Sequence, residues 1–115
     1  MIKNISQSEY NSFCDTTDHY HLNLPNSELA FYALGFAGEA GEVANKIKKV
    51  YRDDGGFLSP ERREMIIKEM GGTYWYFSRI CKALGITPDE IRQANYEELF
   101  SRRERGTVLG DGDNR

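Results

Sequence analysis

Cysteine, proline and long apolar runs are scarce in this sequence, and each scarcity excludes something. The two cysteines, Cys14 and Cys81, stand far apart in 115 residues, without metal-type spacing. The expectation is two reduced, packed thiols in a cytoplasmic protein, not a disulfide framework. The three prolines, Pro25, Pro60 and Pro88, fall between helical stretches and interrupt none of them. No apolar run approaches the ~18 residues of a membrane span. The opening Met1-Ile2-Lys3-Asn4 leads into polar residues, without the apolar core of a secretory signal. An excess of one charge is also lacking: 15 Lys and Arg stand against 18 Asp and Glu, a net charge of −3. That balance does not favour a nucleic-acid polymer as partner, which asks for a basic surface. Hydrophobic residues make up 39 %, enough for a core but below average, so an oligomer that hides more surface is expected. The length fits one domain over residues 1–115, without internal repeats or strand-type alternation.

What is present is helix punctuation. Ser6-Gln7-Ser8-Glu9 reads as a capping box, with Ile5 and Tyr10 placed as a hydrophobic staple, and opens a helix over Gln7 to Asp18. Residues 19–25 form a connector. Asn26 or Ser27 caps a long second helix to about Tyr51, closed by Asp53-Asp54-Gly55-Gly56. Ser59-Pro60 starts a third helix that reaches Leu84 before Gly85, and Thr87-Pro88-Asp89-Glu90 starts a fourth that reaches Arg105. The tail, 106–115, is polar and glycine-rich. The fold class is all-α: a small four-helix-type bundle with two long antiparallel helices.

The long helices carry heptad-like seams. Leu29, Tyr32, Phe36, Ala40, Val43, Ile47 and Val50 recur on the second; Ile66, Met70, Thr73, Phe77, Ile80 and Leu84 recur on the third. These seams are expected to be the core of an antiparallel pair. One residue before them runs a second stripe: Gly35, Glu39, Glu42, Lys46 and Lys49, with Met65, Glu69, Gly72 and Tyr76 on the partner helix. The two stripes should meet along one groove. Glu39 and Glu42 are neighbours on one face, and Glu69 stands on the matching stripe. Carboxylates brought together repel unless a cation neutralises them, and hard oxygen ligands suit Mg²⁺, which keeps waters and reaches phosphates. Lys46 and Lys49 then place positive charge where phosphate oxygens would lie. Gly35, Gly38 and Gly41 cost helix stability and ask for a reason, such as close packing or room for a ligand. The alternative is bland: Glu42 and Lys46 are also an ordinary i,i+4 pair on a solvated face.

The run Leu34-Gly35-Phe36-Ala37-Gly38-Glu39-Ala40-Gly41-Glu42-Val43, followed by Lys46, Lys48 and Lys49, resembles the first motif of MazG-like nucleotide pyrophosphohydrolases. Lys68-Glu69-Met70-Gly71-Gly72-Thr73-Tyr74-Trp75-Tyr76 is similar to the E-x-x-D segment of their next helix. The stretch Ala94 to Gly106 and the ending Gly110-Asp111-Gly112-Asp113-Asn114-Arg115 also resemble family members. The likeness covers about 27–115. It implies hydrolysis of nucleoside triphosphates, NTP or dNTP, to the monophosphate and pyrophosphate. It also implies Mg²⁺, for which Mn²⁺ can substitute, and a homodimer or homotetramer with parts of the groove shared between subunits. By the resemblance, Glu39, Glu42 and Glu69 are metal ligands and catalytic residues, with Glu42 the candidate to orient or deprotonate the water. Lys46, Lys49, Asn95, Arg102 and Arg103 are nucleotide-binding. Asn95 lies between Ile91 and Leu99 on the apolar face of the fourth helix; its alternative is a buried, register-fixing amide. Phe31, Trp75 and Tyr76 are candidates to recognise the base, or else core aromatics. His19 and His21 are weak metal candidates.

The departure is Gly72, where the family has Asp. Losing that carboxylate predicts weaker Mg²⁺ binding and slower turnover; Asp53 and Asp54 are candidate substitutes, but they sit in the turn at the helix end. A non-catalytic nucleotide-binding protein of the same fold is the alternative function, and an oligomerising helical module without small-molecule chemistry is a third.

Overall fold

The computed structural model describes residues 4–20 and 23–113. It is all-helical: α1 spans Gln7–Thr17, α2 Ser27–Asp54, α3 Pro60–Ala83 and α4 Pro88–Arg105. Among the described residues, no helix is long and apolar enough to cross a membrane. Three starts follow the expected chemistry. The Ser6 and Ser59 hydroxyls accept from the third residue of their helices, and Thr87 and Glu90 form a reciprocal capping box. The start of α2 differs. Asn26 takes a left-handed conformation and its side chain makes no capping bond.

The α2–α3 pair is an antiparallel hairpin and holds most of the packing. α2 runs three residues beyond the expected end at Tyr51. The backbone then reverses at Gly55, φ +60°, where the amide of Gly56 bonds back to the Val50 carbonyl at 3.0 Å. Arg62 Nε donates to Asp54 Oδ2 at 2.7 Å and ties the turn to the first turn of α3. α1 lies against the far end of α3. The buried apolar residues are few: Cys14, Tyr32, Val50 and Cys81. Both cysteines are free thiols, in line with the packing role read from the sequence.

Two expectations need correction. The seams do not form a closed core. Tyr32 and Val50 are buried, but Phe36, Ala40 and Ile47 of α2 and Met70 and Leu84 of α3 are exposed. Leu29, Val43, Ile66, Thr73, Phe77 and Ile80 are half-buried, so the seam is partly covered; the close approaches at Gly35 and Gly72 lie one residue earlier, on the stripe beside it. Asn95 is likewise exposed, neither a buried amide nor part of a groove within its own chain. The α3–α4 turn is the cause. Ile86 N bonds to Cys81 O at 2.9 Å, Gly85 takes φ +71°, and the capping box with buried Pro88 follows at once. These bonds fix the direction in which α4 leaves, and every residue from 89 to 101 is exposed.

Candidate functional site

The two stripes predicted to meet do meet. A side chain at Gly35 would overlap the ring of Tyr76, so the ring fills the space the glycine leaves. One turn on, Glu39 folds its carboxylate over Gly72; Oε2 lies 2.8 Å from where a Cβ at position 72 would stand. Following this antiparallel register one step further sets Glu42 level with Glu69, and another step sets Lys46 level with Met65. Glu39, Glu69, Lys46 and Lys49 are half-buried, whereas Glu42 is exposed. The glycines divide by cause. Gly35 and Gly72 are sites of close approach; Gly38, Gly41 and Gly71 have open space where a side chain would go.

The carboxylates stand in a row and do not form a closed cage. Among the described residues, no three of His, Cys, Asp and Glu gather around one point. Their donor type still fits Mg²⁺, which is commonly held by one or two carboxylates, with waters and substrate phosphate completing the shell. Asp53 and Asp54 do not replace the missing acid. Both pair with arginines at the hairpin turn, Asp53 with Arg52 at 2.7 Å and Asp54 with Arg62 at 2.7 Å. The hydrogen bond from Arg52 holds the Asp53 carboxyl below its ordinary pKa. Arg62 lies ten residues, about 15 Å of helix, from Gly72.

Beside Tyr76 opens a pocket of about 470 Å³ lined by Thr17, Asp18, His19, Tyr20, Phe31, Trp75 and Tyr76. The rings of Tyr20 and Phe31 lie 4.7 Å apart, and Trp75 stands edge-on to Tyr76 at 4.9 Å. Trp75 Nε1 donates to Thr17 Oγ1 at 2.9 Å, which fixes the indole. Phe31, Trp75 and Tyr76, named from sequence, therefore share one wall system, to which the connector adds Tyr20 and His19. His21 lies outside the described residues. These rings pack on one another, and the pocket presents their remaining aromatic surface.

A second constellation was not found by sequence reasoning. Arg79 is 1 % exposed, and its guanidinium donates to Asp15 Oδ1 at 2.8 Å and to the Asn11 carbonyl at 3.0 Å. It also lies 5.8 Å from the centroid of Trp75. Asp18 accepts from the buried Tyr32 hydroxyl, whose pKa is pushed up first by burial and then by that bond. Lys82 also bonds to Asp15. This network holds α1 and the connector on α3, and so holds the pocket's rim. Its signal in the sequence was Asn11 and Asp15, four apart on one face of α1, with Asp18 just past its end and Arg79 beside the third helix's apolar Phe77 and Ile80.

The fourth-helix candidates are not brought to the carboxylates within one chain. Arg102 is buried; its guanidinium bonds to Glu98 and to the Asp113 carbonyl, the latter at 3.0 Å, and so pins the tail. Arg103 lies over the ring of Phe100, 5.0 Å from its centroid. Asn114 and Arg115 lie outside the described residues.

No protein-family model matches the chain, and no solved structure matches it. A curated protein does. Over 87 residues the chain is 39 % identical to the Gene 37 protein of Mycobacterium phage L5, across 76 % of each sequence. At that identity and coverage, the chain belongs to the same family as the phage L5 Gene 37 protein.

Proposed function

We propose that the chain is a Mg²⁺-dependent nucleoside triphosphate pyrophosphohydrolase of MazG-like type, releasing pyrophosphate from NTPs or dNTPs and so controlling or cleaning a nucleotide pool. The observation that carries this reading is the seating of Glu39 against Gly72. The position where the resembling family bears an acid faces the first motif's glutamate, and the same register sets Glu42 level with Glu69. Two further features support it. The aromatic pocket shares Tyr76 with the Gly35 approach, within one helical turn of Glu39, as a base site next to a phosphate site would. Lys46 and Lys49 continue the row beyond the carboxylates.

A bound Mg²⁺ would neutralise phosphate charge and activate water. The chain's own residues would do the rest: Glu39 and Glu69 supply oxygen ligands, Glu42 orients the attacking water, Lys46 and Lys49 hold the leaving pyrophosphate, and the aromatic pocket grips the base. The reading includes an assembly of identical chains.

Gly72 and the open row of carboxylates favour one alternative, a protein that binds nucleotide with little or no turnover. Pyrophosphate release from an NTP and dNTP panel, by this chain and its Gly72→Asp variant, separates them. Release supports the hydrolase. Thermal stabilisation by nucleotide without release supports the binding protein.

A further inference from the structure

The polar groups of the aromatic pocket beside Tyr76 are unequal in what they can still offer a ligand. Trp75 Nε1, a fixed donor, is spent on Thr17 Oγ1, and that hydroxyl in turn donates to the Cys14 carbonyl at 3.1 Å. His19 and the hydroxyls of Tyr20 and Tyr76 can each give or take a hydrogen bond, so they adapt to any ring edge. Tyr20 Oη is buried and has no partner among the described residues. Asp18 is different. Among the described lining residues it is the only acid, and a carboxylate only accepts.

Asp18 is also held in place. It ends α1, where the backbone leaves the helix at φ −91° and ψ 107°. Oδ1 accepts from the Tyr20 backbone N–H at 3.2 Å, Oδ2 accepts from the Tyr32 hydroxyl, and Arg79 Nη1 stands 3.8 Å from Oδ2. Those two hydrogen bonds use half of the roughly four lone-pair directions of a carboxylate, so it can accept more. Turning away from an ill-matched ligand would break the bond to the buried Tyr32 hydroxyl. The pocket therefore carries one acceptor whose polarity and position are both fixed.

We propose that Asp18 selects the base: the pocket takes nucleotides of the amino-bearing bases, cytosine, adenine and guanine, over those of thymine and uracil. This choice rests on the pocket being the base site of the functional reading, and it gives that reading a substrate class. Contact with aromatic surface favours every base and chooses little among them. An exocyclic amine gives Asp18 a donor. Thymine and uracil offer one ring-edge N–H set between two carbonyl oxygens, whose lone pairs meet the carboxylate and are repelled. A fixed acceptor stripped of water and left without a donor is costly, and that cost discriminates.

Trp75 is the only tryptophan, so tryptophan fluorescence reports on this pocket. The non-hydrolysable α,β-imido analogues of dCTP, dATP, dGTP, dTTP and dUTP, titrated with Mg²⁺ by fluorescence and by calorimetry, read binding without turnover. The first three should bind about tenfold tighter or more. An amide presents a donor as well as an acceptor, so Asp18→Asn should narrow that gap about tenfold in favour of thymine and uracil, with helix content unchanged by circular dichroism. Glu28→Gln removes a nearby acid that does not line the pocket and should leave the gap unchanged. The preference of the unaltered chain needs no variant and decides alone if Asp18→Asn does not fold. Equal affinity across the five, a preference for thymine or uracil, or a gap that folded Asp18→Asn leaves intact overturns the role of Asp18 and leaves the nucleotide reading standing. So does calorimetric binding that Trp75 does not register. Absence of calorimetric binding by every analogue removes the nucleotide reading itself, and the base selection with it.

Discussion

The carboxylate of Glu39 occupies the space that a side chain at Gly72 would enter, with Oε2 2.8 Å from the Cβ position. The nearest atoms there are the far end of a flexible side chain, so a residue at 72 displaces a carboxylate and not a backbone. An aspartate at 72 would therefore fit and set a second acid beside Glu39. Gly72→Asp is expected to fold and to raise Mg²⁺-dependent pyrophosphate release on the order of tenfold or more. Glu39→Gln in either background should remove that release.

The glycines of α2 are expected to respond in opposite directions. Gly35→Ala forces a methyl into the Tyr76 ring and should cost about 1–3 kcal/mol. Gly38→Ala meets open space and should stabilise the helix by up to about 1 kcal/mol. Urea denaturation of the two variants against the parent checks both signs.

Arg79 should be the costliest charged residue to lose. Its guanidinium is buried and joins Asp15, the Asn11 carbonyl and the Trp75 ring. Arg79→Ala is expected to destabilise by about 2–4 kcal/mol, through lost packing and orphaned partners. It should also loosen α1, read as faster amide exchange over 7–17. Asp15→Asn, at an exposed position, should cost less.

The same network makes a pH prediction. Hydrogen bonds from Arg79 and then Lys82 lower the Asp15 pKa from 3.8 to about 2. A lowered folded pKa means that the contribution is fully present above pH 3.8 and is lost as pH falls towards 2. At the alkaline end, burial first and then Cys14 raise Tyr10 from 10.0 to about 12, so its contribution is present below pH 10.0 and is lost as pH rises towards 12. Thermal melting across pH should fall at both ends, and Asp15→Asn should flatten only the acid limb.

Much of this was legible in the sequence, and the reasons for the rest are physical. Ser6, Ser59, Thr87 and the prolines that follow two of them announce helix starts because capping is local chemistry. The meeting of the Gly35–Glu39 and Gly72–Tyr76 stripes was legible because one residue is a fixed rotation of a helix. The heptad seam named a shared face, but spacing does not say what covers that face; Ala40 and Met70 look the same whether they face a neighbouring helix or another chain. The direction of α4 was hidden in backbone bonds at Ile86 and Gly85, which no hydrophobic pattern reports. Asn95, expected at the site from the resemblance, stands in the open because that turn sets the course of α4. Arg102 was read as nucleotide-binding from the resemblance, and no spacing in the sequence reveals that Glu98 and the Asp113 carbonyl engage it.

The most direct measurement is pyrophosphate release from a panel of NTPs and dNTPs with Mg²⁺, run on this chain and on Gly72→Asp side by side. The account predicts measurable release by this chain and a marked gain with the added aspartate, both abolished by Glu39→Gln. Absence of release from both proteins, across the whole panel, would contradict it.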